Sequence, residues 1–163
     1  MKLIKRLSFL TRFNRREKFV YLFVFLSAVI FNFLVLSPVV MTQVGLDKLA
    51  RFVYLFFKPI CHQIDSRSFH IYGVKLAVCS RCSLIYSGVL IGVVILGSVY
   101  GENLLRRSNF ILMIALFPSL VEFFVEKFLN VEMVVFKVLA SLWLGVLAGL
   151  VLSAQIVNMF GER

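Results

Sequence analysis

Residues 19–46 carry no charged side chain, and nearly all of them are apolar. A helix needs roughly 20 such residues to cross the hydrocarbon core of a bilayer, so a membrane span is expected over about 19–42. Pro38 lies late in that run and should loosen its last turn, because proline brings no backbone donor. A cleaved signal peptide has a shorter apolar core followed by small residues at the cut site. Here the run ends in SPVVMTQ, which reads as an anchor that stays. With 61% hydrophobic residues and 18 phenylalanines in 163 positions, the chain has too little polar surface to cover itself in water.

Three more apolar segments follow, at about 83–100, 109–125 and 138–159, the second of them interrupted by Pro118 and Glu122. The expected fold is an all-α membrane protein with four transmembrane helices in one domain, 19–163, behind a basic tail, 1–18. Between the first two spans, residues 46–58 place Asp47, Arg51, Tyr54 and Lys58 at helical spacing, with Leu49, Val53, Phe56, Phe57 and Ile60 largely opposite. Such a segment is expected to lie in the interface plane with its aromatic face in lipid. Pro59 ends it, since a residue before proline is pushed out of the helical region.

Seven of the 18 basic residues stand at Lys2, Lys5, Arg6, Arg12, Arg15, Arg16 and Lys18. A basic run directly ahead of an apolar helix acts as an orientation signal, and the bilayer rather than nucleic acid is the expected partner. Arg106 and Arg107 fall two spans later, on the same side. Both termini are therefore expected in the cytoplasm of a multi-pass plasma-membrane protein, with residues 61–82 outside. Six basic residues between Gln43 and Cys82 pull the other way, and the first span is expected to dominate.

Gly88 and Gly92, and again Gly145 and Gly149, are four apart, a spacing that lets helix backbones approach where lipid supplies no hydrophobic drive. These stripes predict a compact bundle and also offer a face to a second copy of the chain. Glu122 lies near the end of the third span and Lys137 near the start of the fourth. A carboxylate inside a bilayer needs a partner or a pathway, and the short loop between the helices predicts a Glu122–Lys137 pair.

All three cysteines and both histidines fall within 61–82, CHQIDSRSFHIYGVKLAVCSRC. Segments 67–72 and 74–78 flank Gly73 and read as a hairpin ending in the C-x-x-C of Cys79 and Cys82. Zinc accepts Cys3His sets, so Cys61, Cys79 and Cys82 with His62 or His70 could hold zinc or another transition metal. Cys61 and His62 are adjacent and would be strained if both faced one ion. If His62 turned away, the site would be open, as catalytic sites are. Arg67 and Arg81 would serve as anion-binding groups or as supports around the ligands. A second chemistry uses the same atoms: a C-x-x-C at a helix amino terminus has one activated thiol, here Cys79, with Cys82 as its pair and Cys61 as resolving partner. A purely structural or assembly subunit would use neither, so whether the chain is an enzyme stays open at this level.

Exterior C-x-x-C at the head of the second of four spans resembles, in architecture alone, the quinone-linked disulfide oxidoreductases of the DsbB type, which implies quinone as cofactor under the redox reading. That family carries a further cysteine pair in its other exterior loop, where this chain has none. The whole window is similar to the signature of a family of small multi-pass membrane proteins of bacteria and archaea, classed as a domain of unknown function. The matching positions are Cys61, His62, Gln63, Arg67, Ser68, Phe69, Gly73, Cys79, Arg81, Cys82, Ile85, Tyr86 and Gly88. Glu122 after Pro118, and Lys137 where the family shows arginine, echo its later part. The resemblance implies the membrane architecture, favours His62 over His70 as a ligand, and brings no activity with it.

Overall fold

The computed structural model describes residues 15–99, 102–129 and 134–161. The expected basic tail therefore lies outside the described residues up to position 14. The chain is mostly helical: α1 (Arg15–Gln43), α2 (Asp47–Phe57), a 3-10 turn (Asp65–Arg67), strands β1 (His70–Ile71) and β2 (Val74–Lys75), α3 (Ser80–Val99), α4 (Glu102–Arg106), α5 (Ser108–Leu129) and α6 (Val134–Gly161).

With 29 residues, α1 is about 40 Å long, enough to cross a bilayer. Pro38 sits inside it and deprives the Leu34 carbonyl of its helical donor; the Ser37 hydroxyl takes that carbonyl at 2.8 Å. One residue further on, the Val35 carbonyl accepts the backbone N–H of Ala77 at 3.1 Å, from a segment 42 positions away. Loosening by Pro38 is thus coupled to docking of the chain just ahead of the C-x-x-C. At the helix end, Gly45 has φ +79°, Leu46 N bonds Met41 O at 2.8 Å and Gly45 N bonds Thr42 O at 3.2 Å. This is a Schellman cap, and it needs a residue without Cβ at the left-handed position.

The cap turns the chain straight into α2, which matches the amphipathic segment expected at 46–58. Its apolar face is divided rather than given wholly to lipid. Ala50, Val53 and Phe57 are buried, with the Phe57 ring edge-on to Phe31 of α1 at 5.2 Å, while Leu49, Phe52, Leu55 and Phe56 stay exposed. The reason is geometric. An eleven-residue helix folded back by a tight cap must lay one stripe on α1, which leaves the neighbouring stripe exposed.

Among the described residues three helices are long and apolar enough to cross a membrane: Arg15–Gln43, Ser80–Gly97 and Val135–Phe160. The expectation was four. Among the described residues the apolar part of α5, Ser108–Glu122, is shorter. The closest helix packing is between α3 and α6, where the glycines interlock. A methyl group on Gly88 would come within 2.7 Å of the Leu142 carbonyl oxygen, and one on Gly149 within 2.5 Å of that of Val89. At Gly92 and Gly145 it would run into the carbonyls of Val146 and Ile85. The two stripes are spent on each other inside one chain, so they do not present the face to a second copy that the sequence offered.

Among the described residues two apolar cores result. One joins Tyr21 of α1, Val93 and Leu96 of α3, and Leu150, Ala154 and Val157 of α6. The other gathers Val35, Val39, Val53, Phe57, Leu76, Ala77 and Val78 around the Cys61 thiol. The second core carries the site.

Candidate metal centre

Past α2 the chain turns once more, with Cys61 N donating to Phe57 O at 2.9 Å, and this turn drops Cys61 into the core beside Phe57. The strands that follow are two residues each, paired His70 with Lys75 and Ile71 with Val74. Their connection is Tyr72–Gly73, with φ +53° and +77°, the left-handed pair of a type I′ turn. The reversal is at the glycine, as the sequence predicts, yet the strands carry none of the cysteines. Between β2 and α3 the buried residues Leu76, Ala77 and Val78 anchor the chain, and they deliver Cys79 to the mouth of α3 and Cys82 to its first turn.

The three sulfurs thereby converge. Cys61, Cys79 and Cys82 place their Sγ atoms within 4.8 Å of one another, and all three thiols are free. A tetrahedral zinc ion about 2.3 Å from each sulfur would hold them just under 4 Å apart, so the cluster needs little contraction to fit one. Backbone donors already point at Cys61 Sγ: Cys79 N at 3.2 Å and Gln63 N at 3.5 Å. Such donors stabilise a thiolate, the form a metal takes. The Cys79 thiol is pushed down to about 5, chiefly because the Cys82 thiol donates to its sulfur, with burial opposing and donors from the Cys82 and Arg81 backbone and from Cys61 assisting.

Neither histidine belongs to the cluster as it stands. His62 is exposed and lines the same cleft as the three cysteines. The His70 ring lies instead 3.1 Å from Ser68 O through Nδ1 and 3.4 Å from Asp65 Oδ1 through Nε2. The cleft, about 490 Å³, is also lined by Arg67, Arg81 and Lys137. Arg67 reaches it because Ser80 Oγ, at the start of α3, holds the Arg67 carbonyl at 2.9 Å.

At Glu122 the structure has Arg81, a partner that the expected Glu122–Lys137 pair does not include. Arg81 Nη2 lies 2.5 Å from Glu122 Oε1, and that carboxylate is buried. The middle of the C-x-x-C is therefore tied to α5, a contact 41 residues long that spacing along the chain could not reveal.

Gln63 is the residue whose role the sequence concealed. Its amide Nε2 donates to Tyr54 O at 2.7 Å and to Ala77 O at 2.8 Å, and its own carbonyl accepts Lys75 Nζ at 3.3 Å. It also adopts φ +51°, an uncommon conformation for a side-chain-bearing residue. One side chain thus staples α2 to the strap before Cys79. In Gln63→Ala two carbonyls lose their donor, so a loss of about 1–3 kcal/mol is expected, read as a lower melting temperature in detergent. Gln63→Glu should do no better than Ala, because a carboxylate cannot donate; an unchanged melting temperature in both would show that water serves these carbonyls equally well.

Residues 61–155, more than half of the chain, match the model of the family described as "Predicted membrane protein (DUF2085)". The chain belongs to this family. The DUF2085 match opens at Cys61 itself and runs through α3, α4 and α5 into α6, so it takes in the three-thiol cluster and the Arg81–Glu122 link, while α1 and α2 precede it. The uncharacterized protein MJ1492 of Methanocaldococcus jannaschii is 42% identical over 71 residues, which is 43% of this chain and 46% of that protein. The matched part spans about half the length of that relative. No solved structure matches.

Proposed function

We propose that this membrane protein holds one transition-metal ion, most readily zinc, between Cys61, Cys79 and Cys82 at the membrane surface. The observation that supports it is the approach of three sulfurs to within 4.8 Å, brought together from two separate stretches of chain. Thiolate sets select soft or borderline metals, and zinc is the common choice for a three-sulfur site with one more nitrogen or oxygen ligand. His62, at the rim of the cleft, supplies the fourth ligand or leaves that position to a molecule in the cleft.

The membrane arrangement that goes with this reading has four spans. Arg81 at the start of α3 meets Glu122 late in α5, so α5 returns across most of the depth that α3 crosses, with its interrupting carboxylate neutralised at the surface. Four spans leave both termini in the cytoplasm, in keeping with the basic tail, and turn the cysteine cleft outward. Lys137 at the same rim keeps α6 in the charge balance around Glu122.

Thiol exchange is the second reading, favoured by the Cys79 thiol at about 5. The Cys79–Cys82 pair would give two electrons and two protons to a quinone, becoming a disulfide and leaving a quinol; a substrate dithiol would then reduce the disulfide. The deciding experiment is elemental analysis of purified protein, with thiol counting on the same sample before and after a chelator. About one zinc per chain, with three thiols unreactive until the chelator is added, is expected. Absence of metal together with a Cys79–Cys82 disulfide would overturn the metal site and leave the redox reading. Labelling with a membrane-impermeant thiol reagent on intact cells, after reduction and chelation, reads the sidedness.

A further inference from the structure

A second cavity, about 340 Å³, opens between α1, α3 and α6, and Ala28 and Phe31, Tyr86 and Val93, and Leu152 form much of its wall. Polar side chains line it too, but they are engaged with backbone. Asn32 Nδ2 donates to Ala28 O and Tyr86 O at 2.9 and 3.1 Å, Ser27 Oγ to Phe23 O at 2.8 Å, and Ser153 Oγ to Leu150 O at 3.2 Å. What remains to greet an occupant is hydrocarbon. Tyr86, on this wall, stands one helical turn beyond Cys82, on the wall of the cysteine cleft. Residues four apart share a helix face, so the cationic cleft and the apolar cavity follow one another along a single face of α3. Both volumes fall in the range of about 300–1,000 Å³ usual for small-molecule sites.

We infer that the two cavities together take one phosphate-bearing lipid, the head group in the cysteine cleft and the hydrocarbon chain between α1, α3 and α6. The inference rests on the reading of the cleft as a metal centre with an open position. Arg67, Arg81 and Lys137 line the cleft, with Arg81 also paired to Glu122 of α5. A guanidinium fork and an ammonium suit phosphate oxygens, and a thiolate-held metal accepts one more oxygen. A free anion would use only the upper cavity; a neutral lipid, only the lower. A phosphate lipid uses both, and it reaches them from the bilayer, where the wall residues Ser27 and Leu152 are exposed.

The test uses the full chain, loaded with zinc, in phosphatidylcholine nanodiscs. The probes are a prenyl phosphate with a diazirine in its chain and the prenyl alcohol with the same diazirine. About tenfold or more labelling by the phosphate is expected, mapping to the cavity walls of α1, α3 and α6 and unaffected by equimolar inorganic phosphate. Arg67→Gln with Lys137→Gln should reduce it to the alcohol's level. Ser27→Phe and Leu152→Trp, both at exposed positions that leave the core alone, should cut it with zinc content unchanged. Equal labelling by the two probes, adducts scattered over the lipid-facing surface, or displacement by equimolar inorganic phosphate would overturn the inference. Zinc measured on the unmutated chain separates the two readings: no phosphate-specific labelling of that chain at full zinc sinks the lipid site alone, and phosphate-specific labelling of a chain that holds no zinc sinks the metal centre alone.

Discussion

Serine at position 61 is expected to remove the bound metal as completely as serine at 79 or 82. The three cysteines are unequal in the sequence, a lone Cys61 against a C-x-x-C, but equal in the structure, where each sulfur lies within 4.8 Å of the other two. Metal binding in thiolate sites totals about 10–16 kcal/mol over four ligands, so one thiolate accounts for roughly 3 kcal/mol or more, a loss in affinity above a hundredfold. Each single mutant should therefore be purified with far less than one metal per chain. Cys61 sits in the second apolar core beside Phe57, so its serine variant also puts a hydroxyl there and should melt earlier than the other two. A Cys61→Ser protein that keeps its metal, or that cycles a Cys79–Cys82 disulfide with quinone as the parent does, would exclude a three-sulfur centre.

Loss of Arg81 should cost far more than loss of its partner. Glu122 is buried whereas the Arg81 side chain is 39% exposed, so the two halves of the pair differ in what they leave behind. Arg81→Met removes the salt-bridged partner of a buried carboxylate, a change that typically costs about 3–5 kcal/mol, and it releases α5 from the mouth of α3. Glu122→Gln leaves an arginine that reaches water and retains a polar group of the same shape for it to bond. The double variant Arg81→Met, Glu122→Gln should recover much of the loss, because no buried charge remains. Melting in detergent, with metal content read alongside, checks the order. Equal and small effects of the two single changes would show that Glu122 is in contact with water and that α5 stands free of the site.

Much of this architecture is legible in the chain. Uncharged runs at helical length fix the long spans, since hydrocarbon tolerates backbone only when it is internally bonded. The proline and glycine positions mark real events: Pro38 frees a carbonyl, Gly45 caps α1, and Gly73 turns the short strands. Glycine stripes announce close helix contact, although whether the neighbour is another helix of the chain or another molecule is a matter of topology. Here α3 and α6 answer each other.

What the sequence by itself determined is the inventory: the three helices long and apolar enough to cross lipid, where α2 and the hairpin turn fall, and that every thiol and imidazole lies in one window. These follow from local periodicity and from backbone limits that act over a few residues. Only the tertiary structure decided who meets whom. It brought Cys61 from the end of α2 onto the C-x-x-C at the head of α3, turned His70 to Asp65, set Arg81 against Glu122 on α5, and made Gln63 the staple between α2 and the strap ahead of Cys79. Such contacts depend on how helices pack and on which buried groups must find partners. Both are conditions of the whole fold, and no spacing within the 22-residue window can encode them.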